Sequence, residues 1–133
     1  MRLIVGRQME FGRNEGNEAL KSHLLNPRNV GELKDADFII SHTNSVCGDS
    51  IKLYVRVEGR ILKEIKYKVF GCSTTVAVSS LWSEFIKNQD IIELMEKEIY
   101  PIQRCELDET RKHAFDLVFE AMTKLYKEVK EKN

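Results

Sequence analysis

From Ile51 to Val57 the chain alternates. Ile51, Leu53, Val55 and Val57 are apolar, with Lys52, Arg56 and Glu58 among the polar positions. That period of two predicts a half-buried strand. Gly59-Arg60 interrupts it, and Ile61, Ile65, Tyr67 and Val69 then alternate with Glu64, Lys66 and Lys68, which predicts the second arm of a hairpin. Phe38-Ile39-Ile40, ahead of the polar His42-Thr43-Asn44-Ser45, supplies another strand. Residues 38–70 thus predict a three-stranded antiparallel sheet with one solvated face.

The rhythm changes after Cys72. Val76, Ala77, Leu81, Trp82, Phe85 and Ile86 follow helical spacing over 73–87, with Ser73 or Thr74 as the cap. A short helix is predicted over 90–97, ahead of Pro101. A long C-terminal helix is predicted from about Glu106, with Ala114, Phe115, Val118, Ala121, Met122, Leu125 and Val129 as its apolar stripe. Its start is acidic (Glu106, Asp108, Glu109) and its end lysine-rich, which suits the helix dipole. Upstream, Leu20, Leu24 and Leu25 mark one face of a short helix that ends at Asn26-Pro27, because the residue before proline disfavours helix. Asn29 to Leu33 reads as a turn. Residues 1–17, with Gly6, Gly12 and Gly16 and no sustained period, read as a flexible N-terminal leader before a domain over 18–133. Strands first and helices after predict an α+β fold, with the helices packed on one face of the sheet.

Composition narrows the function. With 133 residues the default is one domain, large enough for a core without disulfides. Lys+Arg and Asp+Glu both count 21, and this balance argues against a broad nucleic-acid footprint. Lys63, Lys66 and Lys68 read as a solvated strand face. No apolar run reaches membrane length, and the start is too weakly apolar for a signal peptide. A reducing cytoplasm is expected, where three cysteines would be free, catalytic or metal-bound.

Cys47 sits in a loop between two predicted strands, Cys72 follows Gly71 where strand meets helix, and Cys105 lies just ahead of the last predicted helix. Two thus fall near helix N-termini, which favour thiolate. Cysteine is often only a small buried hydrophobe. Cys47 and Cys72 resist that reading because both adjoin glycines at element junctions. No CxxC knuckle is present, so spacing alone is weak evidence for metal. Asp49 reads either as a turn carboxylate or as the hard fourth donor to three thiolates, a set that tetrahedral zinc accepts. Such a set would hold an iron–sulfur cluster less firmly than four thiolates do. His23, His42 and His113 read as solvated or hydrogen-bonded. A nucleophilic pair (Cys105–His113 or Cys47–His42) has no local protease pattern behind it.

Leu25-Asn26-Pro27-Arg28-Asn29-Val30-Gly31-Glu32-Leu33, Cys47-Gly48-Asp49 and Phe70-Gly71-Cys72-Ser73-Thr74 with Ser79-Ser80 closely resemble the iron–sulfur cluster assembly scaffolds of the NifU/IscU type. The resemblance runs from about Ala19 to Met122 and implies an α+β scaffold, not an enzyme. Such a scaffold binds iron, receives persulfide sulfur from a cysteine desulfurase, builds a transient [2Fe–2S] cluster and passes it to acceptor apo-proteins or carriers. It implies Cys47, Asp49, Cys72 and Cys105 as ligands and Cys105 as the candidate persulfide acceptor. A homo-oligomer is compatible with it. Many members carry a histidine before the third cysteine. Here that position is Arg104, a guanidinium that does not ligate metals, so Asp49 or an outside ligand would complete the site. Tyr100-Pro101-Ile102-Gln103 departs from the stretch a dedicated Hsp70 chaperone reads in related scaffolds, which argues against that release route. The missing histidine is also similar to the zinc-containing sulfur-acceptor branch. The alternative is therefore a zinc-bound persulfide relay that never holds iron, and a structural zinc module stands as a third reading.

Overall fold

In a computed structural model of the chain, which describes residues 13–46 and 48–133 and side chains from residue 18 onward, the alternating segments form one antiparallel sheet. Strands β1 (Phe38–Thr43), β2 (Ser50–Glu58) and β3 (Ile61–Phe70) lie in the order β1-β2-β3. Ile51 pairs with Val69, Leu53 with Tyr67 and Val55 with Ile65, so the apolar positions share one face. Ile51, Leu53, Val55, Leu62, Ile65 and Tyr67 are buried on it. Gly59, at φ +64°, makes the hairpin turn. On the other face Lys52 stands opposite Lys68, and Lys68 forms an ion pair with Glu32.

Four helices of the described residues complete the fold: α1 (Arg13–Leu25), α2 (Ser73–Ile86), α3 (Ile91–Glu96) and α4 (Lys112–Lys132). The amphipathic α4 lays Ala114, Phe115, Leu117, Val118, Ala121, Met122, Leu125 and Val129 against β1, β2 and α2. Trp82 of α2, fully buried, meets Tyr100 and Phe119 with ring centroids 5.7 and 6.4 Å away. Helix α1 covers α2 rather than the sheet. The expected α+β layering is therefore what forms, with α4 as the helix that meets the sheet most extensively. None of the helices is long and apolar enough to cross a membrane.

Several boundaries differ from expectation. The final helix begins at Lys112, not near Glu106. Glu106 instead lies in a 3-10 turn, Arg104–Glu106, where its buried carboxylate accepts the Gln103 amide at 2.7 Å. Asp108 is used similarly, accepting the Thr110 hydroxyl at 2.7 Å while its carbonyl accepts the Arg111 amide at 3.0 Å. Acidic side chains that would suit a helix start thus close two preceding turns. Helix α2 is capped by Cys72, not by Ser73 or Thr74. Leu20 is buried but Leu25 is exposed, so the expected leucine face holds only in part. Helix α1 takes in residues 13–17, which the sequence pattern assigns to the leader; residues 1–12 lie outside the described residues. The predicted turn at Asn29 is stitched to β3, because Gly31 donates to the Tyr67 carbonyl at 2.9 Å and Tyr67 to the Asn29 carbonyl at 3.1 Å.

Candidate metal centre

The β1–β2 loop is closed by its own backbone. Asn44 N–H donates to the Asp49 carbonyl at 2.8 Å and Gly48 N–H to the Asn44 carbonyl at 2.7 Å, with Gly48 at φ +78°. Asp49 is thereby fixed one residue before β2, beside the end of β3, where Ser50 pairs with Phe70. Gly71 sits directly against it. A Cβ on Gly71 would lie 2.8 Å from the Asp49 carboxyl carbon and 3.0 and 3.1 Å from its oxygens. The glycine is needed for space, since its φ is not in the left-handed region.

Next in the chain, Cys72 is exposed as the N-cap of α2. His113, in the first turn of α4, directs Nε2 to within 3.4 Å of the Cys72 sulfur and 3.8 Å of Asp49 Oδ2. The Thr75 hydroxyl, wholly buried, lies 3.3 Å from that sulfur and donates to Asp49 Oδ2 at 3.3 Å. The sulfur, carboxylate and imidazole donors all fall within 4.8 Å of one another. Two helix N-termini, those of α2 and α4, face them, a setting that favours anionic ligands.

Electrostatics follow from that packing. Burial raises the Cys72 thiol, but hydrogen bonds from the Thr75 hydroxyl and amide, from His113 and from the Thr74 amide outweigh it and bring the thiol down to about 7 from 9.0. Cys72 makes no cap bond of regular geometry to these amides, yet their proximity at the helix start favours the thiolate. Its hydrogen bond to Cys72 raises His113 above 6.5, partial burial opposes this, and the charges of Cys72 and Asp49 add to the rise. The sign is opposite for the two members. Thiolate persists above about pH 7, whereas imidazolium is lost as pH rises through the raised His113 value. Alkylation of Cys72, followed by peptide mass spectrometry, is expected to reach half its limiting rate near pH 7. In His113→Ala that midpoint should move up toward 9.0.

The donor set suits a tetrahedral ion. Bonds of roughly 2.0–2.3 Å to sulfur, nitrogen and oxygen separate neighbouring ligands by roughly 3.3–3.6 Å; the sulfur–imidazole separation of 3.4 Å falls in that range, and the imidazole–carboxylate separation of 3.8 Å would close slightly on an ion. Of the sequence candidates, Asp49 and Cys72 come together. Cys47 lies outside the described residues. Cys105 is an exposed free thiol in the 3-10 turn and not a member of this donor group. Arg104 engages Asp116 through two bonds, at 2.8 and 3.1 Å, tying that turn to α4. His113 is the member of this group that the sequence does not single out. Of the solvated and hydrogen-bonded alternatives it takes the second, with Cys72 as its partner. The signal available was its position near the real start of α4, hidden while the helix was expected to begin at Glu106.

Comparison with known proteins places this geometry among relatives. An iron–sulfur cluster assembly scaffold protein IscU of Archaeoglobus fulgidus is 40% identical over 73 residues, 55% of this chain and 48% of that protein. The zinc-dependent sulfurtransferase SufU of Bacillus subtilis is 35% identical over 74 residues, 56% of this chain and 50% of that protein. The chain thus spans about half the length of these curated relatives. Among solved structures, the N-terminal NifU-like protein of Brucella abortus shares the fold at a TM-score of 0.68 and 17% identity, covering 88% of this chain and 95% of that one. Residues 15–133, which include the hairpin, both helix N-termini and the three clustered donors, match the NifU-like N-terminal domain, and the chain belongs to that family.

Proposed function

We propose that the protein is an iron–sulfur cluster assembly scaffold whose metal-binding group is Asp49, Cys72 and His113, with Cys47 as a further donor. The observation that carries this reading is the convergence of thiolate, carboxylate and imidazole on one exposed end of the sheet. Mixed soft and hard donors hold iron without the permanence of four thiolates, which suits cargo that must leave. Cys105, exposed and outside the donor group, is the thiol we assign to sulfur uptake. Its thiolate attacks the terminal sulfur of a desulfurase persulfide, forming Cys–S–SH and releasing the desulfurase thiolate. Phe70 and Val46, 79% and 94% exposed beside Gly71-Cys72 and Cys47, give a partner protein apolar surface to cover. Acceptor apo-proteins would use the same end.

The zinc-bound sulfur relay is the second reading, favoured by the likeness to SufU and by a sulfur–imidazole separation that fits a tetrahedral ion. Zinc held there supplies Lewis acidity and keeps thiols ionised. Anaerobic incubation with iron, cysteine and a desulfurase, followed by visible absorption, separates the two. The scaffold is expected to develop cluster bands that are lost in Cys72→Ser. Absence of bands, with zinc retained and a persulfide on Cys105, would favour the relay. Chelation should leave the helices intact by circular dichroism, because the apolar core between α4, α2 and the sheet owes nothing to metal.

A further inference from the structure

Helix α2 buries four hydroxyl side chains, Thr75, Ser79, Ser80 and Ser83. A buried hydroxyl requires a partner. Ser79 and Ser83 turn back on their own helix, donating to the Thr75 carbonyl at 2.8 Å and the Ser80 carbonyl at 2.7 Å, the usual outlet for a mid-helix hydroxyl. Ser80 serves α1 and its following turn, 2.6 Å from His23 Nδ1 and accepting the Arg28 amide at 2.8 Å. Thr75 does neither. Its hydroxyl faces the donor cluster, 3.3 Å from both Asp49 Oδ2 and the Cys72 sulfur.

We infer that Thr75 is a positioning residue of this centre, a single buried hydroxyl that ties the β1–β2 loop carboxylate to the α2 cap sulfur. The inference rests on Asp49 and Cys72 being metal donors. Strand pairing of Ser50 with Phe70 brings the Asp49 and Cys72 backbones near each other, but it does not set which way the carboxylate and the thiol turn. Thr75 is anchored in the first turn of α2, where its amide donates to the Cys72 carbonyl at 3.1 Å. Its β-branched side chain has restricted rotamers, so the hydroxyl is presented in a fixed direction. The oxygen of Asp49 that it holds is the one closest to His113. The carboxylate is thereby turned toward the imidazole as well as the sulfur.

The test compares Thr75→Val, which keeps the shape and removes the hydroxyl, with Thr75→Ser, which restores the hydroxyl. Zinc affinity by chelator competition is expected to fall about tenfold or more in Thr75→Val, as for other groups that orient ligands. It should return to within about threefold of the parent in Thr75→Ser. In Asp49→Ala the valine change should then cost little more. A metal-free arm measures denaturant unfolding of the parent, Thr75→Val, Asp49→Ala and the double variant. The double variant is expected to be less destabilised than the summed singles, by about threefold to tenfold in the unfolding equilibrium constant. Unchanged affinity in Thr75→Val, or additivity in the metal-free cycle, overturns the inference. So does serine failing to restore affinity, because a purely packing role would give that result. If the parent binds no zinc, or Cys72→Ser binds it equally well, the metal reading fails instead. The metal-free cycle then still decides whether Thr75 holds Asp49.

Discussion

Replacing His113 with alanine is expected to weaken zinc or ferrous iron binding about a hundredfold, while Cys105→Ser changes it by less than about threefold. The imidazole is one of three donors within 4.8 Å of one another, and its Nε2 sits at ligand–ligand distance from the Cys72 sulfur. Loss of a group that merely orients a ligand costs roughly 10–100-fold in affinity, so loss of a donor should cost at least as much. Cys105 is outside the group, in a turn held to α4 through Arg104 and Asp116. Chelator competition on both variants reads the contrast directly. Equal losses would show that Cys105 is a ligand and that the donor group rearranges on binding. His113→Ala should fold normally, since the ring is partly exposed and lies at a helix start.

Gly71→Ala should separate site from fold just as sharply. A methyl group there would come within 2.8 Å of the Asp49 carboxyl carbon, so the short side chain must rotate away. That motion breaks the Thr75 hydrogen bond and withdraws the carboxylate from Cys72 and His113. Metal affinity is expected to drop about tenfold or more. Stability should change by no more than about 1 kcal/mol, the lost hydrogen bond being offset by the stiffer unfolded chain. The glycine is not in a left-handed conformation, and alanine at a compatible backbone position is neutral or favourable by up to about 1 kcal/mol. A thermal melt beside the metal titration gives both readouts. If the variant keeps full affinity, Asp49 is not a ligand and Gly71 has some other reason to lack a side chain.

The contrast between Gly71 and His113 shows where sequence suffices. The Gly71-Cys72 pair sits at a strand–helix junction that periodicity locates within a residue, because alternation runs through the second half of β3 and helical spacing takes over in α2. The same holds for Asp49, two residues past Cys47 and two before Ile51, the first apolar position of β2. His113 belongs to a segment whose local signals mislead. Glu106, Asp108 and Glu109 resemble the acidic first turn of a helix, but Glu106 caps a 3-10 turn and Asp108 closes another before α4 starts. These partners lie only two and three residues away, so the same acidic side chains mark an isolated turn as readily as a helix start.

Amino-acid order therefore determined the three-stranded sheet, α2 and the apolar stripe of α4, since each depends on a repeating choice between core and solvent. It also placed Asp49 and Cys72 at junctions at one end of the sheet. Only tertiary structure decided that His113 stands beside Asp49 and Cys72. Docking α4 across β1, β2 and α2 carries its first turn to the mouth of the hairpin, beside a cysteine 41 residues away in the chain. The apolar stripe of α4 dictates that it packs. The turn geometry ahead of Lys112 sets which residue of that helix reaches the sulfur.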